Sequence, residues 1–336
     1  MAKIMRTLAL NPILARMFRV IRRSRVITRV FRVIYLIFSN QVWQQKKHFG
    51  ESNPDVTFYV IRPPIEDFGI INLAYLNNVH HLRYAINKGY IPVVDFLHYR
   101  TLYSDSELNK NVWEHYFTQP SDYTLDEVYQ SKNVVLSNKY YRGYPSFEDS
   151  TNNSWILEYG NIIKQFIRFN SKTQKFIDIQ KDELIKPEDT VLGVFCRGTD
   201  YIKLKPAGHY VQPSFCELLE EITKFLENHT CNKILLTTED GHAVEMFKNQ
   251  FGSALVVPKQ NFVDNYDDKK GMLIEEYRQV SLSADKYVSG LEYLNSVYLL
   301  SQCQYFVGAL AAGSIAALML NQGRYIDKRV IFKGYY

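Results

Sequence analysis

The chain has 336 residues, 46% apolar and 22% charged, a globular balance that excludes a disordered or fibrous protein and leaves room for two α/β domains. Its net charge of +5 is segregated: residues 1–50 hold eleven Lys and Arg and no Asp or Glu, leaving 29 basic against 35 acidic residues elsewhere. A mildly acidic body argues against nucleic-acid binding. Cys196, Cys216, Cys231 and Cys303 have neither CxxC nor zinc spacing, as expected of reduced cytosolic thiols.

The first predicted element is a basic amphipathic helix. Asn11-Pro12 reads as a cap followed by proline at the first helical position. Val26, Ile27, Val30, Phe31, Ile34, Ile37 and Phe38 then fall on one face, with Arg25, Arg29 and Arg32 opposite. The longest apolar run, Val33 to Phe38, is too short to span a bilayer, and the start has no clean apolar core of a secretory leader. The expectation is a helix lying on an anionic membrane surface, which makes the protein cytoplasmic and peripherally attached. A helix packed on the protein's own body is the alternative.

From residue 54 the pattern becomes strand, helix, strand. Val56–Ile61 is a β-branched run, Ile70 to Lys88 has helical spacing ended by Gly89, and Ile91–Asp95 is a second strand. Asn133–Ser137 is a third, and residues 138–188 read as loop then helix. A second series follows: strands at Val191–Phe195, Lys233–Thr237, Ala254–Val257 and Gln304–Val307, with helices at Pro213–Glu227, Gly241–Asn249, Gly290–Gln302 and Ser314–Asn321. Residues 258–288 read as a polar loop. Such alternation predicts parallel sheets covered on both faces, with ligands at the carboxyl ends of the strands. The predicted division is a basic segment 1–50, an acceptor domain 51–188 and a donor domain 189–336.

Three strand ends carry unusual residues. After Phe195 come Arg197, Gly198, Thr199 and Asp200: a guanidinium fork suits a diphosphate, and glycine lets backbone amides approach the same anion. A structural Arg–Asp pair would look the same. After Thr237 stand Glu239 and Asp240, carboxylates for a base or ribose, or simply a helix cap. Gly308 and Gly313 with Ser314 offer a helix start to a phosphate, though the spacing is neither GxGxxG nor Walker A. Their convergence on one sheet says more than any one of them.

The three elements resemble the three motifs of the fucosyltransferase-like GT-B superfamily, which includes α1,6- and α1,2-fucosyltransferases and protein O-fucosyltransferases, and within it the bacterial polysaccharide enzymes. Arg197 matches the family's β-phosphate arginine, with Thr199 and Asp200 closing the first motif; Glu239 and Asp240 match the second, and Gly308 with Ser314 the third. Phe195 and Gly198 depart from the usual His and second Arg. Asp67, Gly69 and Asn72 stand where the family's first loop lines the cleft. The resemblance implies two Rossmann-like domains facing across a cleft, and an inverting transfer from a GDP-sugar, GDP-fucose favoured, to a saccharide or lipid-linked acceptor. Capsule, exopolysaccharide or O-antigen synthesis follows from it. No cofactor or metal is expected, consistent with the absence of Asp-x-Asp from the sequence.

Arg197 would stabilise the departing diphosphate, and His209 is the first candidate for the general base, with Asp67 and Glu66 next. His80 and His81, adjacent on a helix, point about 100° apart and cannot chelate together. Lys203, Lys205 and Lys286 either add positive potential or are solvated. Another polysaccharide-modifying transferase and a non-catalytic membrane-docked nucleotide-binding protein are the competing readings.

Overall fold

A computed structural model describes residues 43–64, 68–104, 110–139 and 144–336. The predicted amphipathic helix and Asp67 with Glu66 fall outside these residues.

The first sheet holds β1 (Gln45–Lys47), β2 (Ser52–Ile61), β3 (Ile91–Val94) and β4 (Ser131–Leu136) in the order β1-β4-β2-β3. β2 runs parallel to both neighbours, and only β1 is antiparallel. Phe58 to Ile61 are fully buried, as an apolar run between two covering layers must be. The crossover to β3 opens on a π-helical turn, Asn72–Asn77, before continuing as α1 (Asn78–Lys88). Gly89 ends α1 in the left-handed conformation at φ 65°, its N–H bonded to the carbonyls of Ala85 and Ile86. Two capped helices follow the first sheet, α2 (Asn153–Phe166) and α3 (Ser171–Leu184), inside the stretch read as loop then helix.

The second sheet is all parallel, in the order β7-β6-β5-β8-β9. Its strands are β5 (Val191–Phe195), β6 (Lys233–Thr237), β7 (Leu255–Val256), β8 (Tyr305–Ala309) and β9 (Asp327–Ile331). Four helices match the predicted series: α4 (Phe215–Leu226), α5 (Gly241–Phe251), α7 (Lys286–Ser301) and α8 (Ala312–Asn321). The fifth, α6 (Ile274–Ser281), corrects the reading of residues 258–288 as loop, and α7 starts at Lys286 rather than Gly290. The strands β1 and β9 also escaped prediction, because short or charged edge strands lack an apolar run.

The two halves share one core. A single cluster of buried side chains runs from Tyr59 and Leu76 through Ile156 to Leu300, Ile315 and Met319. Gly160 of α2 lies so close to α8 that a Cβ there would stand 2.4 Å from the Met319 carbonyl oxygen. On the other side Tyr116 donates from its hydroxyl to the Tyr287 carbonyl at 3.1 Å, and the Lys286 ammonium reaches the Ser104 carbonyl at 2.5 Å.

Candidate active site

The registers of β5 and β6 pair Phe195 with Thr237, so the residues just beyond each strand end lie side by side. That places Arg197 against Glu239. One guanidinium nitrogen, Nη1, donates to Glu239 Oε1 at 2.5 Å, and Nη2 donates to Asp200 Oδ2 at 3.0 Å. The Arg197 side chain is 9% exposed and lies over the Tyr201 ring, 4.8 Å from its centroid. The third nitrogen, Nε, is buried and has no hydrogen-bond partner.

Asp200 is completely buried and fully engaged: it also accepts from the Ile274 and Tyr201 amides, each at 2.9 Å. The Ile274 bond draws α6 over the strand ends, so the region read as a loop forms part of the site. Burial raises the Glu239 carboxyl above its usual range against the pull of Arg197, with Asp200 adding to the rise. Burial also works against charge on Arg197, but its two carboxylates outweigh that and keep it ionised. Two carboxylates on one guanidinium leave a local charge nearer −1 than +1 when both are ionised.

Asp240 caps α5, accepting from the amides of His242 at 3.0 Å and Ala243 at 3.3 Å; burial raises its carboxyl and those two bonds oppose the rise. The capping alternative therefore describes Asp240, whereas Glu239 turns to the arginine. Thr199 is 2% exposed and precedes the short helix Asp200–Leu204.

The glycines have a different part from the expected one. A Cβ on Gly198 would stand 2.4 Å from the Phe215 ring, one on Gly308 would stand 2.8 Å from the Phe195 carbonyl oxygen, and one on Gly313 would be 2.7 Å from both the Phe195 ring and the Tyr293 hydroxyl. Each glycine makes room for packing around β5. Ser314 needs a correction too: fully buried, its hydroxyl accepts from the Ala311 amide at 2.8 Å and lies 2.9 Å from the Ala309 carbonyl. With those partners it caps its own helix and is not turned to a phosphate. The first-turn amides of α8, which lack intrahelical partners by geometry, are what that helix start can offer.

His209 comes to the same place. Its Nδ1 is 2.8 Å from the Tyr201 hydroxyl, which is 3.0 Å from the Tyr144 hydroxyl; Asn72 Nδ2 reaches that same Tyr144 oxygen at 3.5 Å. A chain of polar contacts thus links the first-half loop through two tyrosines to the ring beneath Arg197. Burial pushes the Tyr201 hydroxyl well above its usual range, so the phenol stays protonated. A Cβ placed on Gly69 would stand 3.7 Å from the Glu275 side chain of α6, an ordinary contact distance.

Tyr144, Tyr201, Tyr293 and Glu275 were not singled out from the sequence. Only Tyr201 had a usable signal, directly following the Arg197 motif. Among the lysines, the Lys203 ammonium donates to the Tyr266 carbonyl at 2.9 Å, Lys205 is exposed and Lys286 ties the halves together as described. The His81 and His80 rings meet different tyrosines, Tyr59 at 3.0 Å and Tyr159 at 3.2 Å.

No protein-family model matches the sequence, and no curated protein matches it either. Solved structures similar in fold include a NodZ alpha-1,6-fucosyltransferase soaked with GDP-fucose, 14% identical, with TM-score 0.49 over 79% of this chain and 92% of that one. FUT1 of Arabidopsis thaliana in complex with GDP is 9% identical, with TM-score 0.49 over 86% of this chain and 73% of that one. POFUT1 in complex with GDP is 9% identical, with TM-score 0.45 over 84% of this chain and all of that one.

Proposed function

We propose that this chain is a glycosyltransferase that moves a sugar from a nucleoside diphosphate to a saccharide hydroxyl, with GDP-fucose the favoured donor. The observation that carries the reading is the Arg197 Nε, a cationic donor buried at a strand end without an acceptor. Leaving such a donor unmet costs about 1–3 kcal/mol, and a diphosphate oxygen is the acceptor that a guanidinium fork suits best. The site lies at the carboxyl end of a central parallel strand, where ligands of such sheets bind.

The acceptor hydroxyl attacks the sugar C1 in one displacement, inverting it, while the diphosphate leaves with the bonding pair. Arg197 and the first-turn amides of α8 stabilise the charge that develops on the leaving group. His209, held through Nδ1 on Tyr201, takes the acceptor proton. Residues 189–336 bind the donor, with Glu239 on Arg197 and Asp240 capping α5 beside it, and residues 51–188 bind the acceptor. No metal is required in this scheme, since the arginine and the amides hold the diphosphate.

The basic amphipathic segment within residues 1–50 docks the enzyme on the inner membrane face, beside a lipid-linked acceptor of polysaccharide synthesis. Flotation of the full chain with neutral and anionic liposomes tests that step; equal recovery on both overturns it.

Calorimetric titration with GDP, UDP and CDP tests the reading as a whole. GDP binds in the micromolar range and Arg197→Ala abolishes binding; no binding of any diphosphate at millimolar concentration sinks the proposal. The two carboxylates already on Arg197 favour a second reading, a nucleotide-binding protein without transfer activity. Hydrolysis of the bound sugar nucleotide, lost in Arg197→Ala, separates the two.

A further inference from the structure

The first sheet has an arginine at the corresponding point. Arg62 comes directly after β2, where Arg197 comes two residues after β5, and its side chain is drawn in until the residue is only 4% exposed. Its Nε donates to the Ser137 carbonyl at 2.9 Å and its Nη2 donates to the same oxygen, while the Arg62 amide donates to the Ser137 hydroxyl at 2.9 Å. Those acceptors are neutral. The guanidinium carbon stands 5.3 Å from the Tyr99 ring centroid, and the Lys139 ammonium stands 5.4 Å from the same centroid.

Two cations therefore share one aromatic ring. Burial, and then the charge of Arg62, lower the Lys139 ammonium below its usual range. Neither Arg62 nor Lys139 forms an ion pair among the described residues. Asp95, whose amide donates to the Ile61 carbonyl one residue before Arg62, is fully buried and occupied by the Leu97 and His98 amides, the His98 ring and the Tyr129 hydroxyl. A buried guanidinium without a counter-charge is expensive, and a chain that keeps it beside a half-buried ammonium offers both to an anion.

The place of the cluster says which anion. Arg62 and Ser137 stand at the carboxyl ends of adjacent parallel strands. Lys139 is five residues from Tyr144, at most about 18 Å of extended chain, and Tyr144 bonds the tyrosine beneath Arg197.

We propose that Arg62, Tyr99 and Lys139 form an anion subsite for the acceptor, which carries a carboxylate or a phosphate on a sugar ring. The two cations, held over the Tyr99 ring, take the charge. Calling the ligand an acceptor rests on the glycosyltransferase reading; the anion site itself does not.

The test titrates the full-length protein with methyl glucuronide, glucose 1-phosphate and neutral methyl glucoside, in the presence and absence of GDP. One or both anionic saccharides bind at least about tenfold more tightly than the neutral one, and Lys139→Gln removes about tenfold of that affinity. The variant leaves GDP affinity unchanged. Preference for the glucuronide identifies a uronic-acid acceptor, and preference for the phosphate identifies a phosphorylated one. Equal binding of charged and neutral sugars, or anion binding indifferent to Lys139→Gln, overturns the proposal. Arg62→Met is the less decisive variant because it also unclamps Ser137. Lys139-dependent anion binding without GDP binding would defeat the glycosyltransferase reading and leave this subsite standing.

Discussion

Arg62 stands one residue past β2 and Arg197 two residues past β5, each at the end of a strand flanked on both sides, yet their surroundings are opposite in charge. Arg197 is shared by Asp200 and Glu239, whereas Arg62 rests on the neutral carbonyl of Ser137 beside a second cation. The fold fixes where a guanidinium stands. The residues that follow its own strand and the neighbouring one decide whether its charge is consumed or displayed. At Arg197 an incoming diphosphate must compete with carboxylates already in place; at Arg62 an anion competes only with a neutral carbonyl among the described residues.

The sharpest way to break that contrast is Arg197→Ala. It strands two buried carboxylates, so a loss of about 3–5 kcal/mol is expected in denaturant unfolding, along with all nucleotide binding. The defect should ease as pH falls, because orphaned carboxyls protonate; a pH-independent defect would show that the pair contributes nothing electrostatic.

Next in size is overpacking. Gly198→Ala drives a methyl into the Phe215 ring and Gly313→Ala drives one against Phe195 and Tyr293. Each is expected to cost about 1–3 kcal/mol in thermal or chemical denaturation. If either melts like the parent but loses nucleotide affinity, the glycine serves the ligand and not the packing.

Glu239→Gln sharpens the contrast from the other side. It keeps a carbonyl oxygen for Arg197 and removes one negative charge, so affinity for inorganic pyrophosphate should rise by up to about tenfold, roughly 1.4 kcal/mol. The Glu239 carboxyl is raised in the folded protein, so its contribution to stability is most favourable at acid pH and is lost as pH rises through the folded value. The variant should therefore gain on the parent as pH rises above the usual carboxylate range. A parent that loses nothing relative to it over that rise contradicts the assignment.

The smallest effect expected is from Tyr201→Phe, about 1 kcal/mol in stability from the lost hydroxyl bonds to His209 and Tyr144. If His209 is the base, kcat falls while KM for the donor stays unchanged. A change in donor KM alone would place the tyrosine in binding instead.

Much of this organisation was legible in the sequence because parallel strands are buried on both faces and read as apolar runs. β5 is buried throughout, and its prediction coincides with the observed strand. β9, with Asp327, Lys328 and Arg329, has no such run and is held by its partner β8. α6 was illegible because its polar face dominates; what fixes it is Asp200 on the Ile274 amide, a contact 74 residues apart. At the site, spacing brought Arg197, Asp200 and Glu239 together correctly, since all three sit at strand ends. It did not reveal that Gly308 and Gly313 admit neighbouring groups or that the Ser314 hydroxyl caps its own helix, because glycine that admits a ring and glycine that admits a phosphate look alike in a sequence. Tyr144 and Tyr201 meet only through the folding of distant segments.

The contact of Gly160 with the Met319 carbonyl has a mechanical consequence. Helices seated backbone to backbone, within a core common to both sheets, cannot swing apart without breaking the densest part of the molecule. Access to Arg197 must then come from displacement of surface segments such as α6, and heating should melt both sheets together in one calorimetric peak.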